Sequence, residues 1–168
     1  MKKLGFNDRW IELLMLCVTI VSYSILVNGE LKGLIHPSRG IRQGDPISPF
    51  VFLLWMKGFH GLISQAAAQG DIWGYSLSRN SPRLTHLFFA DDSLLFCRST
   101  VQECQKILDI LDTYGRCLSQ QINRNKTTII FSKSIDEGTS DRIKLALGVE
   151  EIRQYEKYLG LPLLVGKK

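Results

Sequence analysis

No two of the four cysteines stand in a C-x-x-C pair, and none of the three histidines completes a zinc-ligand spacing with them. Cys17, Cys97, Cys104 and Cys117 therefore read as reduced thiols of an intracellular protein, nuclear or cytoplasmic, rather than a disulfide frame or a zinc knuckle. His86, inside an apolar run, reads as a packed or half-exposed side chain rather than a ligand. The chain has no internal repeat and no low-complexity tract, which excludes solenoids and fibrous architectures. A strong excess of one charge is also missing. The 21 Lys+Arg against 16 Asp+Glu leave +5, which is compatible with a phosphate-rich partner and does not demand one. No stretch qualifies as a membrane span, which takes about 20 apolar residues. Trp10 to Val27 comes nearest, but Glu12 interrupts it and Ser22-Tyr23-Ser24 dilutes its end. It lacks the small-residue cleavage site of a signal peptide, so it reads as a buried helix running into a strand.

What is present describes an ordinary globule. The 168 residues suit one domain that buries roughly 70% of its unfolded surface. Hydrophobic content of 45% and charged content of 22% leave disorder without support. Asn7 or Asp8 can cap a helix to about Val21. Asn28-Gly29 between two extended apolar runs predicts a hairpin, because a type I′ turn needs positive φ at both central residues. After the loop "PSRGIRQGDPISP", Ser48 as N-cap and Pro49 in the first turn open a helix that stops at Gly70. Its first half is apolar almost all round and should lie deep in the core.

A second hairpin spans "LTHLFFADDSLLFC", Leu84 to Cys97. Thr100 and Glu103 then form a capping box, and Val101, Cys104, Ile107, Leu108, Leu111, Tyr114 and Leu118 recur at helical spacing. Thr127 to Ser132 is β-branched and aromatic and predicts a strand. A short helix from about Ser140 to Gly148 and a closing hairpin complete the order. Strands joined by packed helices without regular βαβ alternation give an α+β fold, with helices on an antiparallel sheet.

Asp91 and Asp92 are the residues with the strongest chemical content. Two carboxylates about 4 Å apart repel by roughly 1 kcal/mol in water and roughly 4 at an effective dielectric of 20. Flanked by apolar runs they should lie close to the core, where one would protonate unless a divalent cation intervened. Hard oxygen ligands select Mg2+, or Mn2+ in its place. A tight turn at Ala90-Asp91-Asp92 would aim both side chains at one point. Taken by themselves, these residues leave two readings open: a solvated turn, or half of a metal site.

The wider pattern resembles a known family. "FFADDSLLF" (Phe88 to Phe96) resembles the catalytic hairpin of reverse transcriptases, especially those of plant LINE-type, non-LTR retrotransposons. "RGIRQGDPISPFVF" (Arg39 to Phe52) is similar to their Gly-rich loop and following helix. "INRNKTTIIFS" (Ile122 to Ser132) looks like the Lys-bearing segment behind the site, and "KYLGLPLLVG" (Lys157 to Gly166) like the primer-contacting hairpin. "VSYSILVNGELKG" (Val21 to Gly33) fits the connecting hairpin.

The resemblance implies a polymerase palm and template-directed nucleotidyl transfer by two-metal catalysis. The partners implied are an RNA template, a DNA primer and deoxynucleoside triphosphates, with Mg2+ or Mn2+ as cofactor. By position, Asp91 and Asp92 are metal ligands and Lys126 lies behind the pyrophosphate. Arg42, Gln43, Gly44 and Phe89 contact nucleotide, template or primer terminus, and Leu159 and Gly160 shape the primer hairpin of residues 157–168.

The family uses three carboxylates, and the third belongs to a strand upstream of the segments matched here. The expectation is therefore a partial reverse transcriptase domain over 1–168, a palm without fingers or thumb. Metal binding should be weakened and the isolated chain inactive. A non-catalytic nucleic-acid-binding remnant is the other reading, carried by Arg39, Arg42, Lys126 and Lys133.

Overall fold

The computed structural model describes residues 1–37, 40–90, 92–118, 123, 126–132, 134–151, 157–158 and 161–162. After a short 3-10 turn come helix α1 (Asp8–Thr19), strands β1 (Tyr23–Val27) and β2 (Glu30–Ile35), and helix α2 (Ser48–Ala68). Strands β3 (His86–Phe89) and β4 (Asp92–Leu95) and helix α3 (Val101–Leu118) follow. The chain continues with β5 (Thr128–Ile129), helix α4 (Glu137–Leu147), β6 (Glu150–Glu151), β7 (Lys157–Tyr158) and β8 (Leu161–Pro162).

The class is α+β, but among the described residues the strands form four separate two-stranded ribbons rather than one antiparallel sheet. Three ribbons are antiparallel, and β5 pairs with β6 in parallel across α4. The segment expected as a strand over 127–132 shortens to Thr128–Ile129, because its ladder meets only Glu150 and Glu151.

Local signals place most boundaries. The Asn7 side chain caps α1 by accepting from the Arg9 amide at 2.9 Å. Asn28 and Gly29 both take positive φ, at 51° and 84°, and close the β1–β2 hairpin as the turn type requires. The start of α2 differs from the expectation: Ile47, not Ser48, is the capping residue. Asp45 supplies the side-chain bond instead, its Oδ1 accepting from the Ile47 amide at 2.9 Å, while Ser48 Oγ donates back to the Arg42 carbonyl. Helix α4 begins three residues before Ser140. Asp136 caps it by accepting from the Thr139 amide at 2.8 Å, and Gly148 ends it in the left-handed conformation.

The core lies between the second half of α2, α3 and the β3–β4 hairpin. Phe59, Ile63, Ala66, Ile72 and Ile110 are its buried members. Phe59 stacks on Phe88 of β3 at 5.2 Å and on Tyr114 of α3 at 4.5 Å, so one aromatic column joins three elements. Ile143 of α4 is fully buried. The α3 stripe packs as expected except at two positions: Val101 is exposed, and Ile110, outside that stripe, is buried.

The first half of α2 departs from the expectation. Val51 is buried, but Phe50 and Leu53 are 64% and 63% exposed. Both faces of the β1–β2 hairpin are exposed as well. Apolar density creates demand for burial, and among the described residues nothing covers these side chains. No helix of the described residues is long and apolar enough to cross a membrane.

Candidate functional site

Helix α2 and the aromatic column hold the β3–β4 hairpin by one face. His86 and Phe88 turn toward the core, and Leu87 and Phe89 turn away. Phe89 is directly paired with Asp92, and directly paired residues of an antiparallel ribbon share a face. Asp92 and Phe89 therefore stand together on the outer face, at the end of the ladder next to Ala90. Ala90, the first turn residue, has φ of 49°. An L-residue held there costs about 1 kcal/mol relative to glycine, a local strain at the tip of the hairpin. Asp91 lies outside the described residues.

This placement changes the electrostatic argument. Asp92 is exposed, so water already solvates its charge. The flanking apolar runs bury their inward side chains without burying the acid. The expectation that both aspartates lie close to the core does not hold for Asp92. Its carboxylate offers the hard oxygen that Mg2+ prefers, at a place open to solvent and substrate. Among the described residues no group of three His, Cys, Asp or Glu side chains converges, at Asp92 or elsewhere.

The other expected site residues divide between described and undescribed segments. Arg42, Gln43 and Gly44 are exposed in the loop ahead of α2. Gly44 has φ of 80°, a left-handed conformation that a side chain would strain. Together with the ends of α1 and β1, the Arg42 loop lines a small cavity of about 40 Å³. The Ser48–Arg42 bond fixes the loop backbone and leaves the Arg42 guanidinium outside.

Lys126 is exposed just before β5, its amide donating to the Asn123 carbonyl at 3.0 Å. Among the described residues no ion pair joins Asp92 to Lys126 or Arg42. The hairpin thus brings Phe89 to Asp92, while Lys126 and the Arg42 loop belong to other elements. Leu159 and Gly160 lie outside the described residues, as do Arg39 and Lys133. The flanking strands β7 and β8 pair antiparallel, Lys157 with Pro162 and Tyr158 with Leu161.

A buried polar knot fastens the hairpin's exit. Glu103 is only 3% exposed. Its Oε2 accepts from the Trp73 amide at 3.0 Å and the Arg98 amide at 3.1 Å, and Oε1 accepts from Arg98 Nε. Burial pushes its carboxyl up, but the Trp73 amide and the Arg98 guanidinium and amide outweigh that and hold it below the ordinary range. The guanidinium carbons of Arg83 and Arg98 lie 3.6 and 4.6 Å from the Trp73 ring centroid. The spacing from Thr100 predicts a capping box at Glu103. Only half of that box forms: Thr100 Oγ1 accepts from the Glu103 amide at 3.3 Å, and the carboxylate turns to Trp73 and Arg98 instead.

The described residues thus combine a hairpin with an exposed acid beside its turn, a Gly-containing loop leading into a long helix, and a short strand after an exposed lysine. The family described as Reverse transcriptase (RNA-dependent DNA polymerase) matches residues 1–163, and the chain belongs to it. Over 68 residues the chain is 50% identical to AtMg01250, an uncharacterized mitochondrial protein of Arabidopsis thaliana. That similarity covers 40% of this chain and 56% of the relative, so the matched stretch spans little more than half of that protein. No solved structure matches the chain.

Proposed function

We propose that this chain carries part of the catalytic centre of an RNA-directed DNA polymerase of the plant LINE type. The domain is a partial palm covering 1–168, with the primer hairpin at 157–168. The observation that carries the reading is the β3–β4 turn, which offers Asp92 to solvent directly opposite Phe89 on the face away from the core.

In this reading Asp91 and Asp92 hold Mg2+ or Mn2+. When bound, the ions supply the positive charge that activates a primer 3′-hydroxyl and stabilises the leaving oxygen of pyrophosphate. Phe89 presents an apolar surface to the primer terminus. Arg42 and Gln43 orient nucleotide and template, and Gly44 lets the backbone approach them. Lys126 favours pyrophosphate departure by charge or proton donation. Leu159 and Gly160 shape the primer contact.

Three carboxylates serve the family's chemistry and the motifs here account for two. We infer that extension needs a further carboxylate beyond the motifs matched here. Losing one ligand costs several kcal/mol of transition-state stabilisation, each ~1.4 being tenfold in rate. Purified chain with magnesium, primer–template and deoxynucleotides should therefore extend no better than its Asp92→Asn variant. Co-expression with a family fragment bearing the third acid should raise extension in the parent chain only. Extension by the chain alone above the variant refutes the inactivity, and equal rescue of both proteins removes the role of Asp92.

A second reading, a non-catalytic nucleic-acid-binding remnant, is favoured by the exposed cations Arg42 and Lys126 and the net +5. Binding to a primer–template should then weaken linearly in log K against log salt, and an Arg42→Ala, Lys126→Ala double variant should flatten that slope by up to about two charges. Salt-independent binding would contradict it.

A further inference from the structure

His60 of α2 and His86 of β3 are 26 residues apart in sequence, yet their rings meet. His60 Nδ1 and His86 Nε2 are 2.8 Å apart, with ring centroids at 5.0 Å and planes inclined by 63°. The other nitrogen of each ring faces a hydroxyl. Thr85 Oγ1 lies 2.8 Å from His86 Nδ1, and Ser64 Oγ lies 3.4 Å from His60 Nε2. We propose that this pair is a binding site for a borderline transition-metal ion, zinc or copper(II), bridging α2 to the hairpin that carries Asp92.

The chemistry of the donors selects that class of ion. Imidazole nitrogen suits zinc and copper, whereas magnesium takes oxygen, so this site and the Asp92 turn discriminate between cations. Ligating histidines characteristically have their outer nitrogen held by a hydrogen-bond partner that fixes ring and tautomer. Thr85 and Ser64 occupy that position here. Nitrogens bound tetrahedrally at about 2.0–2.1 Å from zinc sit about 3.3 Å apart, so the pair needs to open by only about half an ångström. His60 is exposed on its helix and has room to swing.

The protons also balance. With His86 Nδ1 donating to Thr85 Oγ1, the bond between the rings needs His60 to carry its proton on Nδ1. On metal binding that proton moves to His60 Nε2, where Ser64 Oγ accepts it, and both facing lone pairs become free. No net proton is released from the neutral pair. Among the described residues no third protein ligand converges there, and water completes the coordination. The spacing hid the site from sequence reasoning, because no zinc pattern separates two ligands by 26 residues without a neighbouring pair.

The site does not depend on the polymerase reading, and its test avoids activity. The full chain is stripped with chelator and then titrated. Zinc should raise its melting temperature progressively with concentration, since an ion that binds only the folded state stabilises by mass action. His60→Gln and His86→Gln should each abolish the rise, and Asp92→Asn should keep it. Copper(II) bound to the parent chain should show electron-spin coupling to two nitrogens, reduced to one or none in either histidine variant. No zinc shift together with no nitrogen coupling overturns the proposal. So does a shift that survives in both histidine variants, which would place the ion on the exposed thiols Cys17 and Cys117.

Discussion

Glu103→Ala is expected to destabilise the protein by about 3 kcal/mol, the cost of orphaning two part-buried amides and a charged partner. The carboxylate is the common acceptor for Trp73 N, Arg98 N and Arg98 Nε. The Arg98 side chain is 53% exposed and recovers hydration, which keeps the loss below that of a fully buried pair. For a chain of this size the melting temperature should fall by about 6–12 °C. Glu103→Gln keeps shape and one acceptor and should lose roughly half as much.

The pH dependence has a definite sign. A carboxyl held below its ordinary value of 4.5 contributes stability that is complete above 4.5 and is lost as pH falls through the folded value. The gap in melting temperature between parent and Glu103→Gln should therefore close on acidification below 4.5 and stay constant above it. A gap that widens toward acid would show that the carboxyl is not depressed.

Gly74→Ala is expected to destabilise by about 3 kcal/mol, from left-handed strain together with a steric conflict. Gly74 has φ of 65°, and an added Cβ would lie 2.5 Å from the Leu84 carbonyl oxygen and 2.9 Å from Thr85 Cγ2. That carbonyl accepts from the Tyr75 amide at 2.7 Å, in a reciprocal pair with the Leu84 amide. Moving it breaks the bridge that closes the loop entering β3. Amide exchange at Tyr75 and Leu84 should accelerate with the loss of stability. Gly61→Ala is the control: its site inside α2 is open within 4 Å, and helix propensity predicts a gain of about 0.5–1 kcal/mol there. A Gly74 variant as stable as the parent would remove the steric argument.

Much of this architecture was legible in the order of residues. The Asn28-Gly29 turn, the Asn7 cap, the stop of α4 at Gly148 and the β3–β4 hairpin all rest on interactions spanning a few residues. The site was legible as a motif, since adjacent acids between apolar runs indicate a turn. Its burial was not legible. Apolar neighbours raised the expectation of a half-buried acid pair, but alternation sends Phe88 inward and leaves Phe89 and Asp92 in water. Helix α4 starts earlier than the sequence predicts because Asp136, an equally good cap, accepts from the Thr139 amide, and at the start of α2 the side-chain bond comes from Asp45 to the Ile47 amide.

The sequence by itself determined the turns, the caps, the periods of helix and strand, and the chemistry of the adjacent acids, because each is fixed by backbone conformation within about one turn of chain. Only the tertiary structure decided which half of α2 is buried, that Glu103 serves Trp73 and Arg98 instead of its own cap, and that His60 meets His86. Those outcomes depend on which surfaces come within reach of one another, and apolar density or polar capacity along a chain specifies the need for a partner without specifying the partner.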